Sequence, residues 1–125
     1  MEWTPIVGCA YSATIVVATP TTTSDITIQL TDFAGNALTE AASILCYVSS
    51  DADGLTYGDF DSMDTTSSGA GDCLEVVADI MWLLISEEDG TIAVTPDGSG
   101  ADTMYLNLVM PNGRIVHSTV ITFSG

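Results

Sequence analysis

Apolar residues in this chain recur at every second position. Ile26, Ile28 and Leu30 alternate with Thr27, Gln29 and Thr31. Tyr105, Leu106, Leu108 and Val109 flank Asn107, and Ile115, Val116, Val120, Ile121 and Phe123 form a further run broken at His117 and Ser118. A period of two sends successive side chains to opposite faces of a strand, and β-branched and aromatic residues fill these runs, as strands prefer. No long segment has the 3.6-residue period of an amphipathic helix. Leu38 to Leu45 is a turn or short helix at most, and Leu74 to Met81 is ambiguous.

Turn signals punctuate the runs. They are Asp32-Phe33-Ala34-Gly35-Asn36, Asp51-Ala52-Asp53-Gly54, Glu88-Asp89-Gly90, Pro96-Asp97-Gly98-Ser99-Gly100 and Pro111-Asn112-Gly113. Asn-Gly and Asp-Gly between β-prone runs are strong hairpin signals. Short strands with turns at this spacing predict an all-β chain of about seven strands, an antiparallel sandwich or barrel. The segments are 13–18, 25–31, 43–49, 73–78, 80–86, 91–95 with 103–110 as one hairpin, and 114–123.

Two stretches depart from the pattern. Residues 1–24 hold two prolines and a threonine-rich piece, Thr19 to Ser24. They read as an extended N-terminal arm and tether ahead of a β domain at 25–125. Ile15, Val16 and Val17 in such an arm need a partner surface, either the chain's own sheet edge or a neighbouring subunit's. Trp3 reads as an anchor in a partner's pocket or as part of a disordered end. Residues 51–72 are rich in Asp, Gly, Ser and Thr and form a loop unusually long for a compact domain.

Charge narrows the possible partners. Seventeen acidic residues stand against one arginine, Arg114, and no lysine, for a formal charge of −16. With 46% hydrophobic residues the chain still builds a core, whereas disorder needs low hydrophobicity as well as high charge. Such a surface repels nucleic acid and anionic membrane and attracts cations or basic proteins. Salt screens its self-repulsion, so a salty setting such as seawater suits it. The start of the chain lacks the pattern of a secretory signal, and no stretch reaches the roughly 18 apolar residues of a membrane span. Synthesis in a cytoplasm is the expectation.

Candidate sites are sparse. Asp51, Asp53, Asp59, Asp61 and Asp64 cluster in the long loop, and the first four are calcium candidates because calcium takes six to eight oxygen ligands. The spacing lacks the EF-hand pattern, so a solvated acidic loop competes with that reading. Arg114, the lone fixed cation, is expected to pair with a carboxylate within the fold or across an interface. His117 reads as a hydrogen-bonded sheet histidine and Trp82 as core. Cys9, Cys46 and Cys73 have no metal or disulfide spacing and read as free thiols, with a Cys46–Cys73 bridge the alternative. No nucleophile elbow, phosphate loop or dinucleotide motif is present, so no catalytic residue and no cofactor are expected.

Three stretches carry a resemblance. Ile26-Thr27-Ile28-Gln29-Leu30-Thr31-Asp32-Phe33-Ala34-Gly35-Asn36-Ala37-Leu38, Cys46-Tyr47-Val48-Ser49-Ser50-Asp51-Ala52-Asp53-Gly54-Leu55 and Tyr105-Leu106-Asn107-Leu108-Val109-Met110-Pro111-Asn112-Gly113-Arg114-Ile115-Val116 resemble small Ig-like virion proteins of tailed bacteriophages. The motifs are strands and turns rather than active-site residues. The resemblance implies a single antiparallel Ig-like β-sandwich and the role of a head decoration (cement) protein on the outer capsid surface of the virion. It would bind the major capsid protein lattice and assemble as a homotrimer at local three-fold positions. The near absence of basic residues and the arm depart from that family. The expected arm contacts to capsid or neighbour are Trp3, Ile6, Val7, Ile15, Val16 and Val17. Deletion of residues 1–24 is then expected to abolish binding and spare the fold. The rival readings are a tail, fibre or surface Ig-like module that recognises a host receptor or glycan, and a calcium-stabilised adhesin repeat.

Overall fold

The computed structural model describes residues 10–18, 25–60, 62–65, 70–98 and 103–123. Ten strands are present among them: β1 (Ser12–Val17), β2 (Ile26–Thr31), β3 (Ser43–Ser49), β4 (Ser62–Thr65), β5 (Asp72–Val77), β6 (Met81–Ile85), β7 (Thr91–Asp97), β8 (Thr103–Val109), β9 (Ile115–His117) and β10 (Ile121–Thr122). They form two antiparallel sheets packed as an Ig-like sandwich. The first sheet has the order β1-β2-β7-β4. The second has the order β10-β8-β3-β6-β5, with β9 also on β8.

The alternation read from sequence is the alternation that packs the core. Ile26, Ile28 and Leu30 of β2 and Ile92 and Val94 of β7 face Ile44, Cys46 and Val48 of β3, Trp82 and Leu84 of β6, and Leu106 and Leu108 of β8. Trp82 is the largest of these side chains and is buried, as expected. Its ring lies 5.8 Å from that of Phe60, which meets Phe123 edge-on at 5.8 Å. The three rings meet inside the sandwich, where aromatic pairs in tilted and edge arrangements add to area burial.

Four expectations are corrected. β7 and β8 do not form a hairpin: β7 lies between β2 and β4, and β8 pairs with β3 in the other sheet. The inward set Ile92, Val94, Leu106 and Leu108 is the same in either arrangement, so alternation fixes the face but not the partner. The long acidic loop contains a strand, β4, whose Met63 is buried opposite Pro96. The run 114–123 splits into β9 and β10. Between them Ser118 turns into the sheet, its N–H donating to the Leu106 carbonyl while its hydroxyl accepts from Leu106 N–H. Lastly, part of the expected arm belongs to the sandwich. All six residues of β1 pair with β2, and Ile15 and Val17 pack against the core. Their partner is the chain's own sheet edge, so the boundary expected at residue 24 does not separate an arm from the domain. Trp3, Ile6 and Val7 lie outside the described residues.

The thiols follow from the same register. Cys46 and Cys73 are free. Cys46 is level with Trp82 of β6, and Cys73 pairs with Leu84 on the far side of that strand. Two inter-strand spacings, about 9.6 Å, separate their backbones, beyond the ~7 Å that a disulfide spans. Burial pushes both thiols up, Cys73 to about 11 with Asp64 and Glu75 adding to the effect, and Cys46 further. Both stay protonated in the fold while an unfolded thiol ionises near 9. The fold therefore holds protons that the unfolded chain releases, and stability falls as pH rises from about 9 towards 11. In a Cys9→Ser background, the native protein at pH 8 should leave both thiols unlabelled by a disulfide reagent for minutes, and denaturant should release two. Immediate labelling of Cys46 would contradict its burial.

Candidate functional site

The two outer faces of the sandwich differ in chemistry. On the first sheet the outward rows are Thr14–Gln29–Thr91 and Val16–Thr27–Ala93 across β1, β2 and β7, with Asp64 beside Thr95 at the β4 edge. That face is mainly threonine and other polar residues, the usual state of an antiparallel sheet facing water. Val16 is its exposed apolar exception, at 59% of full exposure.

On the second sheet one outward row is apolar throughout. Ile115 of β9 pairs with Val109 of β8, Val109 with Leu45 of β3, Leu45 with Leu83 of β6, and Leu83 with Leu74 of β5. The row crosses five strands without a polar interruption. Four spacings make it about 19 Å wide. Leu45 is 40% exposed, Leu74 54% and Ile115 45%, with Val109 and Leu83 half-buried between them. The row on one side, Ser43–Ile85–Asp72, keeps Ile85 and ends in an acidic edge residue.

The row on the other side is His117–Asn107–Tyr47–Met81–Val77. Here the acidic loop folds back over the sheet. Asn107 is fully buried on this outer face. Its Nδ2 donates to Ser49 Oγ at 2.9 Å and to the Tyr47 carbonyl at 3.3 Å. Its Oδ1 lies 2.6 Å from His117 Nδ1, which therefore carries the proton. Ser49 Oγ donates to the Asp51 carbonyl at 2.7 Å, and Tyr47 OH donates to the Gly54 carbonyl at 2.9 Å. His117 is thus a hydrogen-bonded sheet residue, as the sequence indicated. Gly54 (φ 71°) passes so close that a Cβ would sit 2.6 Å from Tyr47 Oη. The loop covers Asn107 in the middle of this row, while His117 and Val77 at its ends stay exposed, and it leaves the apolar row open.

The calcium candidates do not converge. Asp51 Oδ1 accepts from Leu55 N–H at 2.9 Å and Thr56 N–H at 3.0 Å, so its carboxylate closes its own loop. The Thr56 bond is the main reason that its carboxyl sits below the usual range. Asp53 and Asp59 are exposed, and Asp61 lies outside the described residues. Among the described residues no three His, Cys, Asp or Glu side chains gather as a metal site. Arg114 lies over an aromatic ring: its guanidinium is 5.1 Å from the centre of the Tyr11 ring, a cation–π contact. That contact ties the residue before β1 to the β8–β9 turn.

Sequence reasoning missed the apolar row. The signal was present in β3 and β6: Ser43-Ile44-Leu45-Cys46-Tyr47-Val48-Ser49 and Met81-Trp82-Leu83-Leu84-Ile85 are apolar at nearly every position. A strand apolar on both faces is the pattern typical of a sheet covered on both sides. No protein-family model and no curated protein matches the chain. Among solved structures it is similar to a cohesin module from a Clostridium perfringens ATCC13124 family 33 glycoside hydrolase. The identity is 14%, the match covers 93% of this chain and 98% of that one, and the TM-score is 0.48.

Proposed function

We propose that the protein is a non-enzymatic structural component of a tailed-phage virion, a decoration protein that binds the major capsid protein lattice from outside and assembles as a trimer. The observation that carries the reading is the contrast between the two outer faces: one is polar and water-facing, and the other keeps an open apolar row. That is the form of a docking module rather than of a catalyst, and an exposed apolar patch on a soluble domain marks an interaction site. The resemblance supplies the virion setting. Its three stretches fall on turns with backbone roles. Asp32 Oδ1 accepts from Ala34 and Asn36 N–H, Asp51 closes the loop to Thr56, and Asn112 Oδ1 accepts from Arg114 N–H ahead of β9. Charge agrees with the setting, since acidic protomers crowded on a shell need basic grooves or screening salt. Repetition over a lattice gives avidity without a tight single site.

Co-sedimentation with capsids that lack the protein, at low and high salt and followed by imaging, tests the reading. Saturable binding at regular shell positions is expected. Absence of capsid binding, with signal on tails or host cells, would replace it with the receptor-binding alternative.

A further inference from the structure

We infer that the row Ile115–Val109–Leu45–Leu83–Leu74 is the docking surface, and that its occupant is a protein surface bearing an apolar patch ringed by lysine and arginine; on the decoration reading, on which the occupant's identity rests, this is the shell protein. The row crosses the sheet from β9 to β5. Water faces both sides of an isolated sandwich equally, so the leucines on one side and threonines on the other call for something that covers the first. Charge selects the cover. The molecule carries −16 with a single fixed cation, and Asp72 stands on the same face of β5 as Leu74, one step along the strand. A second copy would bring its own −16 against this one, whereas a basic-rimmed partner gains from the same field. Such a partner is steered by charge and held by the apolar row, so salt slows its arrival more than it speeds its departure.

The test uses a helical peptide with leucine on one face and lysine on the other. Its controls are a shuffled peptide of the same composition and a leucine/glutamate counterpart. The protein variants are Leu45→Ser/Leu74→Ser, Ile115→Ser alone should the double variant melt early, and Val16→Ser as an equally exposed apolar control on the other sheet. Saturable binding of the leucine/lysine peptide is expected, with a loss of tenfold or more in the double variant and no change in Val16→Ser, because two leucines leave the contact. Equal binding by the double variant, or by the shuffled peptide, would overturn the inference. So would a dimer in 1 M salt that the double variant loses, which would make the occupant a second copy. Peptide binding that appears only after removal of residues 1–9 would make the occupant the chain's own N-terminal segment. Capsids separate the two readings. If the wild type ignores capsids while the peptide results hold, decoration fails and the docking row stands. If wild type and double variant bind capsids alike, the row fails and decoration stands.

Discussion

Trp82→Ala is expected to lower stability by about 3–5 kcal/mol, the range for deleting a buried aromatic side chain. Trp82 is 1% exposed and packs on Phe60, which in turn packs on Phe123. Phe60 comes from the long acidic loop, Trp82 from β6 beside the edge strand of the second sheet and Phe123 from just after the last strand. Loss of the indole therefore leaves a cavity where three separate parts of the chain meet, and the neighbours cannot all move in without breaking their own contacts. A domain of ordinary stability holds only about 5–15 kcal/mol, so this one change removes a large share. At roughly 3–6 °C per kcal/mol for a chain of this length, the thermal midpoint should fall by about 10–30 °C. A fall of under about 3 °C in a thermal melt would mean that the three-ring contact does not hold the interior. The contrast with Leu45→Ser is informative. That residue shares β3 with Cys46 and Val48 but faces outward, so the same measurement should move little.

The interior was legible in the sequence and the exterior was not, for one physical reason. Period-two alternation reports which residues share a face, and burial of one face is what the alternation encodes. Ile26, Ile28 and Leu30 could be assigned to the core without knowledge of their partners. Which strand lies beside which depends on connections that cross between sheets, and here the sequence signal is degenerate. The Asp-Gly at 89–90 looks like a hairpin turn, yet it carries the chain from β6 in one sheet to β7 in the other. Gly90 meets that need with φ 81° and a carbonyl that accepts from Leu30 N–H of β2. The Asn-Gly at 112–113 does close a true hairpin, β8 to β9. β4 escaped notice because Phe60 and Met63, three apart and set among polar residues, do not alternate. The candidate site was hidden at the same level. Leu45, Leu83 and Val109 each look like ordinary strand residues, and only register places them in one row with Leu74 and Ile115. The calcium candidates illustrate the opposite error, since a run of aspartates looks like a ligand set until Asp51 is seen to satisfy its own backbone.

Deletion of residues 1–24 should unfold the protein rather than produce a soluble sandwich without its arm. Six residues of β1 are paired with β2, and the pairing is extended by Tyr11 N–H to the Thr31 carbonyl and Ala18 N–H to the Asp25 carbonyl, both at 2.8 Å. Ala10 is buried, and Ala13, Ile15 and Val17 pack against the core. Losing these side chains removes roughly 3–5 kcal/mol of apolar burial and leaves β2 as a bare edge above exposed core. The Tyr11–Arg114 contact goes too, and with it a tie from this edge to the β8–β9 turn. The expected result is loss of a cooperative melt at 37 °C, or a midpoint at least about 10 °C lower. A melt within about 3 °C of the full chain would show that β1 is a dispensable arm after all. Deletion of residues 1–9 is the complementary experiment, because it keeps all of β1 and removes Trp3, Ile6 and Val7. If that shorter protein melts like the full chain but binds capsids several-fold more weakly, those three residues contribute contacts of their own. If it binds fully, docking falls to the apolar row alone. Failure of capsid binding in the 1–24 deletion could not make that distinction, because it would report a missing strand instead of a missing contact.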